Sequence, residues 1–183
     1  MKILAIAGSN SDTSINKLLV SYAASIVENA EVEVVDMNDF DMPIYKHQRE
    51  VQGGIPQEAQ DFANKIDASD LLFISLSEHN GTYSAAFKNV FDWASRIKDR
   101  AVWNEKPMLL MATSPGGRGG LSVLEAAEKR FPLHGGNIIE TFTLPFFNDN
   151  FNRENSSISN LEKDNELKAK IQKISNLESI LGK

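Results

Sequence analysis

The chain has no cysteine among its 183 residues. Disulfide bonds, thiol catalysis, thiolate zinc sites and cysteine-bound iron–sulfur clusters are therefore excluded. It has only three histidines, His47, His79 and His134, and they are scattered without the spacing of metal ligands. The sequence therefore predicts no metal site.

Positive charge and long apolar runs are also scarce. Acidic residues outnumber basic ones, 25 against 19, for a formal net charge of −6, and no basic block stands out. We therefore expect neither a nucleic-acid partner nor attraction to an anionic membrane. No apolar run approaches membrane-spanning length, and residues 1–9 are too short for the apolar region of a signal peptide. These features predict a cytoplasmic protein.

What the sequence does contain is a regular alternation of short apolar runs and amphipathic stretches. The predicted strands are Ile3–Ala7, Val32–Val35, Leu71–Leu76, Pro107–Ala112 and Ile138–Leu144. The predicted helices are Asn16–Glu28, Pro56–Ile66, Ala85–Ile97, Leu121–Phe131 and Leu161–Leu181. Crossovers of helical length are typical of a parallel sheet covered on both faces. We expect one domain, residues 1–183, with an α/β flavodoxin-like three-layer sandwich and a five-stranded parallel sheet of order 2-1-3-4-5.

Three smaller expectations concern individual segments. The polar stretch Asn148–Asn160 is predicted to be a mobile surface loop, since a single helix follows it. In the closing helix, helical spacing predicts that one face covers the sheet, with Leu167, Ile171, Ile174 and Leu181. In the predicted helix Ala85–Ile97, Lys88 and Asp92 are spaced as a surface ion pair. For Phe87, Phe91 and Trp93 in the same helix, core packing or a subunit interface is favoured.

Three loops rich in glycine and small polar residues follow the first, third and fourth predicted strands. They read GSNSDTSIN (residues 8–16), SEHNGTYS (residues 77–84) and SPGGRGG (residues 114–120). In an open parallel sheet, ligands bind beyond the carboxyl ends of the strands, where the strand order reverses. The predicted topology therefore brings these three loops together.

The first loop opens a helix, and its chemistry favours a phosphate. Free N–H groups at a helix start attract anions, and neutral donors are added by Ser9, Ser11, Thr13, Ser14 and Asn16. The alternative is that Thr13 or Ser14 simply caps the helix. The loop lacks the second glycine and Lys-Ser or Lys-Thr of a Walker loop, and it lacks the Gly-x-Gly-x-x-Gly fingerprint.

The other two loops suit a flat ligand. Glu78, His79, Asn80 and Gly81 offer groups that can hydrogen-bond the edge of a heterocycle, although His79 also fits a solvated loop histidine. The glycines of the third loop allow a backbone to approach a flat ligand closely. Arg118 is its one charge, suited to a phosphate or to an exposed turn.

Together the three loops resemble a known family. GSNSDTSINKLL resembles the Gly-Ser-x-Arg-x-x-Ser-x-Asn-x-x-Leu signature of the NADPH-dependent FMN reductase family. EHNGTYSAAFKNVFDWAS is similar to that family's Pro-Glu-Tyr-Asn-x-Ser-x-Pro-x-x-Leu-Lys-Asn-x-x-Asp-Trp segment, and SPGGRGG to its glycine-rich loop. The similarity spans Lys2 to about Leu144. Ser11 stands where the family has arginine, and His79 where it has tyrosine.

The resemblance implies a flavodoxin-like fold, bound FMN, NADPH or NADH as cosubstrate, and a homodimer or homotetramer. Electrons would pass to a small-molecule acceptor such as flavin or quinone, with the flavin rather than any side chain carrying the chemistry. The cofactor-binding residues implied are Ser9, Ser11, Ser14, Ile15 and Asn16 in the first loop, Glu78, His79, Asn80 and Gly81 in the second, and Ser114, Gly116, Gly117 and Arg118 in the third.

Two other functions stay open on the sequence. The first is a flavodoxin-like electron carrier that does not itself oxidise NAD(P)H. The second is a flavin-free regulatory or interaction module that kept the fold. Flavin binding and NAD(P)H turnover distinguish the three.

Overall fold

The computed structural model describes the backbone of residues 1–181 and the side chains of residues 1–176. Its main sheet has five parallel strands: β1 (Lys2–Gly8), β2 (Glu31–Asp36), β3 (Leu71–Leu76), β6 (Pro107–Thr113) and β7 (Asn137–Leu144). Their order is β2-β1-β3-β6-β7. Counted along the chain, this is the predicted order 2-1-3-4-5, which is confirmed.

Seven α-helices are described: α1 (Ile15–Ser25), α2 (His47–Gly53), α3 (Gln57–Ala68), α4 (Ala85–Ala94), α5 (Leu121–Arg130), α6 (Phe147–Asn150) and α7 (Leu161–Leu181). Two 3-10 turns, Met37–Phe40 and Phe131–His134, follow β2 and α5. Helices α1 and α4 end three residues before the predicted ends. The chain turns away soon after each, through left-handed residues at Asn29 (φ 58°) and Asp99 (φ 62°).

The sheet lies between two helical layers. Helices α1 and α7 cover one face, and α3, α4 and α5 cover the other. Strand β3 is buried along its whole length, which explains its nearly continuous apolar sequence. Leu167, Ile171 and Ile174 are buried, so the predicted covering role of the closing helix is confirmed for them. The side chain of Leu181 lies outside the described residues.

An aromatic cluster fills the second layer beside helix α4. The rings of Trp103 and Phe131 lie 4.4 Å apart, and Phe87 and Phe91 pack against both. Elsewhere on α4, the indole N–H of Trp93 donates to the Pro43 carbonyl at 2.7 Å. Lys88 and Asp92 form an ion pair at 2.6 Å. The predicted packing role of the apolar α4 side chains and the surface pair are both confirmed.

The segment Asn148–Asn160, predicted to be a mobile surface loop, contains regular structure instead. Helix α6 and a small antiparallel hairpin, β8 (Phe151–Asn152) and β9 (Ser157–Ile158), occupy this segment. The apolar side chains of Phe147, Phe151 and Ile158 are buried at intervals along it, and the two phenylalanine rings stack at 4.7 Å. These anchors hold a segment whose average composition is polar.

Within the described part of the chain, no helix combines the length and the apolar character that crossing a membrane would require.

Candidate functional site

The three loops meet at the carboxyl edge of the sheet, joined by hydrogen bonds. The hydroxyl of Ser84, at the end of the second loop, donates to the Gly8 carbonyl at 2.9 Å. The Glu78 carboxylate accepts from the Ser122 N–H at 3.0 Å, just beyond the third loop. Asn16 contacts Thr113 across the end of β6. The predicted convergence is therefore present.

The first loop presents neutral donors around the start of α1. Ser14 is the N-cap of the helix, with its hydroxyl accepting from the Lys17 N–H at 3.1 Å. The hydroxyl of Ser9 accepts from the Ser11 N–H at 3.2 Å. The N–H groups of Ile15 and Asn16 belong to the first turn, where a helix supplies no internal acceptor. The Ser14 cap therefore leaves the N–H groups of Ile15 and Asn16 without an acceptor in the helix.

Asn16 is a buried junction between three elements. Its amide oxygen accepts from the Ser75 hydroxyl at 2.8 Å and from the Thr113 N–H at 3.1 Å. Its amide nitrogen donates to the Thr113 carbonyl at 3.3 Å. The side-chain amide therefore makes three hydrogen bonds within the protein, and the backbone N–H of Asn16 is the group that lies in the first turn of α1.

Lys17, the residue that directly follows the first loop, is paired with a carboxylate. Lys17 Nζ lies 2.6 Å from Oδ2 of Asp36, at the end of β2. This hydrogen bond raises the pKa of Lys17 against a smaller opposing effect of burial. Burial acts to raise the pKa of Asp36, but hydrogen bonds from Lys17 and the Asn38 N–H outweigh it and lower that pKa. The hydrogen-bond donors that the first loop can offer to a ligand are therefore uncharged.

The second loop is a β-hairpin rather than an irregular loop. Strands β4 (Glu78–His79) and β5 (Thr82–Tyr83) pair across a tip formed by Asn80 and Gly81. Both tip residues have positive φ, 51° and 80°, as a type I′ turn requires. His79, Asn80 and Gly81 are exposed at the sheet edge.

The Glu78 carboxylate, at the base of this hairpin, accepts hydrogen bonds from the start of helix α5. Besides the Ser122 N–H, its Oε2 accepts from the Val123 N–H at 3.3 Å. These donors belong to the first turn of α5, whose own N-cap, Gly120, has no side chain to cap it. The carboxylate thus caps a helix that follows the third loop, and links the second loop to the third.

The glycines of the third loop differ in what surrounds them. A Cβ on Gly117 would lie 2.7 Å from Cζ of Phe146, and one on Gly119 would lie 2.8 Å from the Pro145 nitrogen. A Cβ on Gly116 would meet no neighbour closer than the Ser114 hydroxyl at 4.0 Å. Open space therefore faces Gly116, whereas Gly119 is required by the fold. Arg118 is exposed and donates to the Ser122 hydroxyl at 3.1 Å.

Sequence reasoning missed a fourth segment at this edge. Pro145 and Phe146 follow β7 and pack against the third loop, with the Phe146 N–H donating to the Gly116 carbonyl at 3.1 Å. The sequence did carry a signal for this segment. Every strand of a parallel sheet has its carboxyl end at this edge, so the residues after the fifth predicted strand are also expected here. Within the described residues, no group of three or more histidine, aspartate or glutamate side chains is placed to hold a metal ion.

Solved structures with the same chain path define the class of fold. A flavoenzyme NAD(P)H:(acceptor) oxidoreductase from Paracoccus denitrificans superposes with a TM-score of 0.75 at 20% identity, covering 96% of this chain and 95% of that one. An FMN-dependent NADH-azoreductase from Bacillus anthracis, in complex with FMN, has a TM-score of 0.59 at 13% identity, with 100% of both chains covered. The fold is flavodoxin-like.

Sequence comparison then identifies the family. Residues 1–149 match the model of the NADPH-dependent FMN reductase family, and the chain belongs to that family. An NADPH:quinone oxidoreductase from Arabidopsis thaliana is 30% identical over 67% of this chain and 62% of its own length. A 2-hydroxy-1,4-benzoquinone reductase from a Burkholderia species is 32% identical over 65% of this chain and 63% of its own length. The chain thus spans slightly under two thirds of these curated relatives.

Proposed function

We propose that this protein binds FMN and passes electrons from NADPH or NADH to a small acceptor, a quinone or a flavin. One observation carries the proposal: the uncharged donor loop at the start of α1 meets the exposed hairpin tip and the open Gly116 at one sheet edge. Family membership and the quinone reductases among the relatives support it.

The residues present fit the parts of FMN. The N–H groups of Ile15 and Asn16, with the hydroxyls of Ser9, Ser11 and Ser14, would hold the phosphate. No cation would neutralise the negative charge of the phosphate, but the helix dipole and several N–H groups would together stabilise it. The loop has no free arginine or lysine of its own, so we expect salt to affect FMN binding only weakly.

The ring system would lie between the second and third loops. The exposed groups of His79, Asn80 and Gly81 would border one edge, and Ser114, Gly116 and Gly117 the other side, with Arg118 at the rim. Glu78 would act through its cap on α5, which positions the third loop. Asn16 would act in the same way, by fixing the end of β6 against α1.

FMN supplies the hydride and electron chemistry when bound, and the protein supplies binding, orientation and electrostatics. No side chain at the site is assigned as an essential acid or base. We propose that the nicotinamide and the acceptor use the same space in turn, because the residues described include no separate dinucleotide fold. Backbone N–H groups of the second and third loops would favour negative charge on the ring edge.

We further propose that residues 1–183 act as a single domain in the cytoplasm and assemble as a homodimer or homotetramer. The −6 net charge agrees with the proposed absence of nucleic-acid and membrane partners. Sedimentation equilibrium of the purified protein measures the assembly directly.

The deciding experiment is FMN titration of the purified protein followed by steady-state NADPH and NADH oxidation with a quinone acceptor. We expect quenching of FMN fluorescence on binding and sustained turnover. Binding without turnover would instead identify an electron carrier. Absence of binding at micromolar FMN would identify a flavin-free module.

Ser14 provides a matched pair of variants for the phosphate site. Asp and Asn are both good N-caps, so Ser14→Asp and Ser14→Asn should fold alike. Only the aspartate adds a negative charge beside the phosphate, and repulsion at about 4 Å should weaken FMN binding about tenfold or more. Fluorescence titration of both variants measures this difference. Equal FMN affinity in the two would show that the first loop is only a helix cap.

A further inference from the structure

One phenylalanine in the chain is exposed. Nine of the ten phenylalanines are buried, whereas Phe146 is 50% exposed. Its neighbour Phe147 is fully buried and stacks on Phe151. The apolar anchor of this segment is therefore Phe147, and the ring of Phe146 has no part in the core.

The backbone holds Phe146 firmly in an unusual conformation. Its φ is +48°, a region that bulky side chains rarely adopt. Four backbone hydrogen bonds fix the turn. The Phe146 N–H donates to the Gly116 carbonyl, and the Phe147 N–H donates to the Ser114 carbonyl. The Phe146 carbonyl accepts from the N–H groups of Asp149 and Asn150. The Asn150 side chain also donates to the Pro145 carbonyl at 2.8 Å. The surroundings thus fix the backbone of the turn, and with it the direction of the Cα–Cβ bond of Phe146.

The ring lies beside the proposed flavin position. Its tip contacts Gly117, where an added Cβ would lie 2.7 Å from Cζ. Gly117 and its neighbour Gly116 belong to the third loop, which lies beside the isoalloxazine in the proposed function. One end of the ring therefore rests on that loop, and the exposed part borders the space next to it.

We infer that Phe146 is a fixed aromatic wall of the acceptor position, and that it makes the site selective for flat ring-shaped acceptors such as quinones. This inference rests on the proposed function. An aromatic ring carried on a fixed backbone, with its tip against Gly117, loses little freedom when a planar ring stacks on it. Offset or edge-on ring contacts add attraction beyond simple burial. A compact, non-planar acceptor cannot stack on the ring, so Phe146 should not strengthen its binding.

The test compares two acceptors on FMN-loaded protein: 1,4-naphthoquinone, which is planar, and ferricyanide, which is compact and octahedral. The variants are Phe146→Ala, Phe146→Leu and Phe146→Tyr. We expect Phe146→Ala and Phe146→Leu to raise the KM for naphthoquinone about fivefold, with Phe146→Tyr close to wild type. The KM for ferricyanide should stay unchanged in all three.

A binding measurement accompanies the kinetics. Naphthoquinone is titrated into oxidised FMN-loaded protein without NADPH, and its Kd is read from the shift of the flavin absorption band. The Kd should also rise in Phe146→Ala and Phe146→Leu, although the KM refers to the reduced protein and the two factors need not be equal. The Kd for FMN, measured separately by fluorescence quenching, should not change. Phe146→Leu keeps apolar bulk and so separates ring stacking from general apolar contact.

Three results would overturn the inference while leaving the proposed function intact. The first is an equal change in the KM for naphthoquinone and the KM for ferricyanide. The second is weaker FMN binding in Phe146→Ala, which would mean that the ring contacts the flavin. The third is dissociation of an oligomer in Phe146→Ala, which would make the ring a subunit contact. Failure of the wild-type protein to bind FMN would overturn the proposed function and the inference together.

Discussion

At the scale of single residues, the glycines of the third loop have different reasons to be glycine. Gly119 has φ of +60° and approaches the backbone of Pro145, so the fold itself requires it. Gly116 is exposed and faces open space, and its φ is not positive. The sequence SPGGRGG therefore mixes structural glycines with at least one whose small size is available to a ligand.

Alanine substitution should separate these two roles. Gly119→Ala combines an unfavourable left-handed φ with a clash against backbone that cannot move, and should lower the free energy of unfolding by about 2–4 kcal/mol. Gly116→Ala should leave the free energy of unfolding within about 1 kcal/mol, while weakening FMN binding. Urea unfolding and FMN titration measure the two effects. Comparable stability of the two variants would contradict this division.

At the scale of elements, the hairpin β4–β5 and helix α5 depend on each other. Glu78 supplies the cap that Gly120 cannot, and its negative charge lies at the positive end of the α5 dipole. The second and third loops are therefore mechanically linked through one carboxylate. We therefore expect a substitution in the hairpin to alter the position of the third loop through this contact.

Truncating the cap should destabilise the protein by a measurable amount. Glu78→Ala removes both hydrogen bonds and the charge, and should lower the free energy of unfolding by about 1–2 kcal/mol. Glu78→Gln keeps an acceptor oxygen and should lose about half as much. Chemical unfolding followed by circular dichroism provides the comparison. If Glu78→Ala were as stable as wild type but bound FMN poorly, the carboxylate would act on the cofactor instead.

Helix α2, helix α6 and the hairpin β8–β9 left no periodic apolar pattern in the sequence. Helix α2 has no buried residue, so it carries no apolar period to detect. Helix α6 and the hairpin β8–β9 are held by three apolar side chains spaced too widely for a periodic pattern. The hairpin β4–β5 did carry a signal, the Asn80-Gly81 dipeptide typical of a type I′ turn.

At the scale of the whole molecule, Asn16 connects elements that are distant in sequence. Its amide joins helix α1 to Ser75 of β3 and, 97 residues along the chain, to Thr113 of β6. All of these groups are buried. The side chain thus sets how the first helix sits on the sheet, and with it where the first loop lies relative to the third.

Removing this junction should be costly. Asn16→Ala leaves the Thr113 N–H and carbonyl and the Ser75 hydroxyl buried without partners, so the free energy of unfolding should fall by about 3 kcal/mol. Asn10→Ala, an exposed asparagine in the same loop, is the control and should change it by less than about 0.5 kcal/mol. The midpoints of urea unfolding measure both. A small effect of Asn16→Ala would mean that water replaces the amide.

The sequence by itself determined the strand order, the helical layers on both faces of the sheet and the three loops that meet at one edge. Buried strands and covering helices leave strong apolar patterns, and the topology of parallel sheets then allows few arrangements. Only the tertiary structure decided which side chains face a ligand and which serve the fold. Asn16, Glu78 and Lys17 have their polar groups engaged by partners 19 to 97 residues away, and Phe146 is set by a turn packed on a distant loop. Such pairings depend on three-dimensional proximity, which no local pattern of residues encodes.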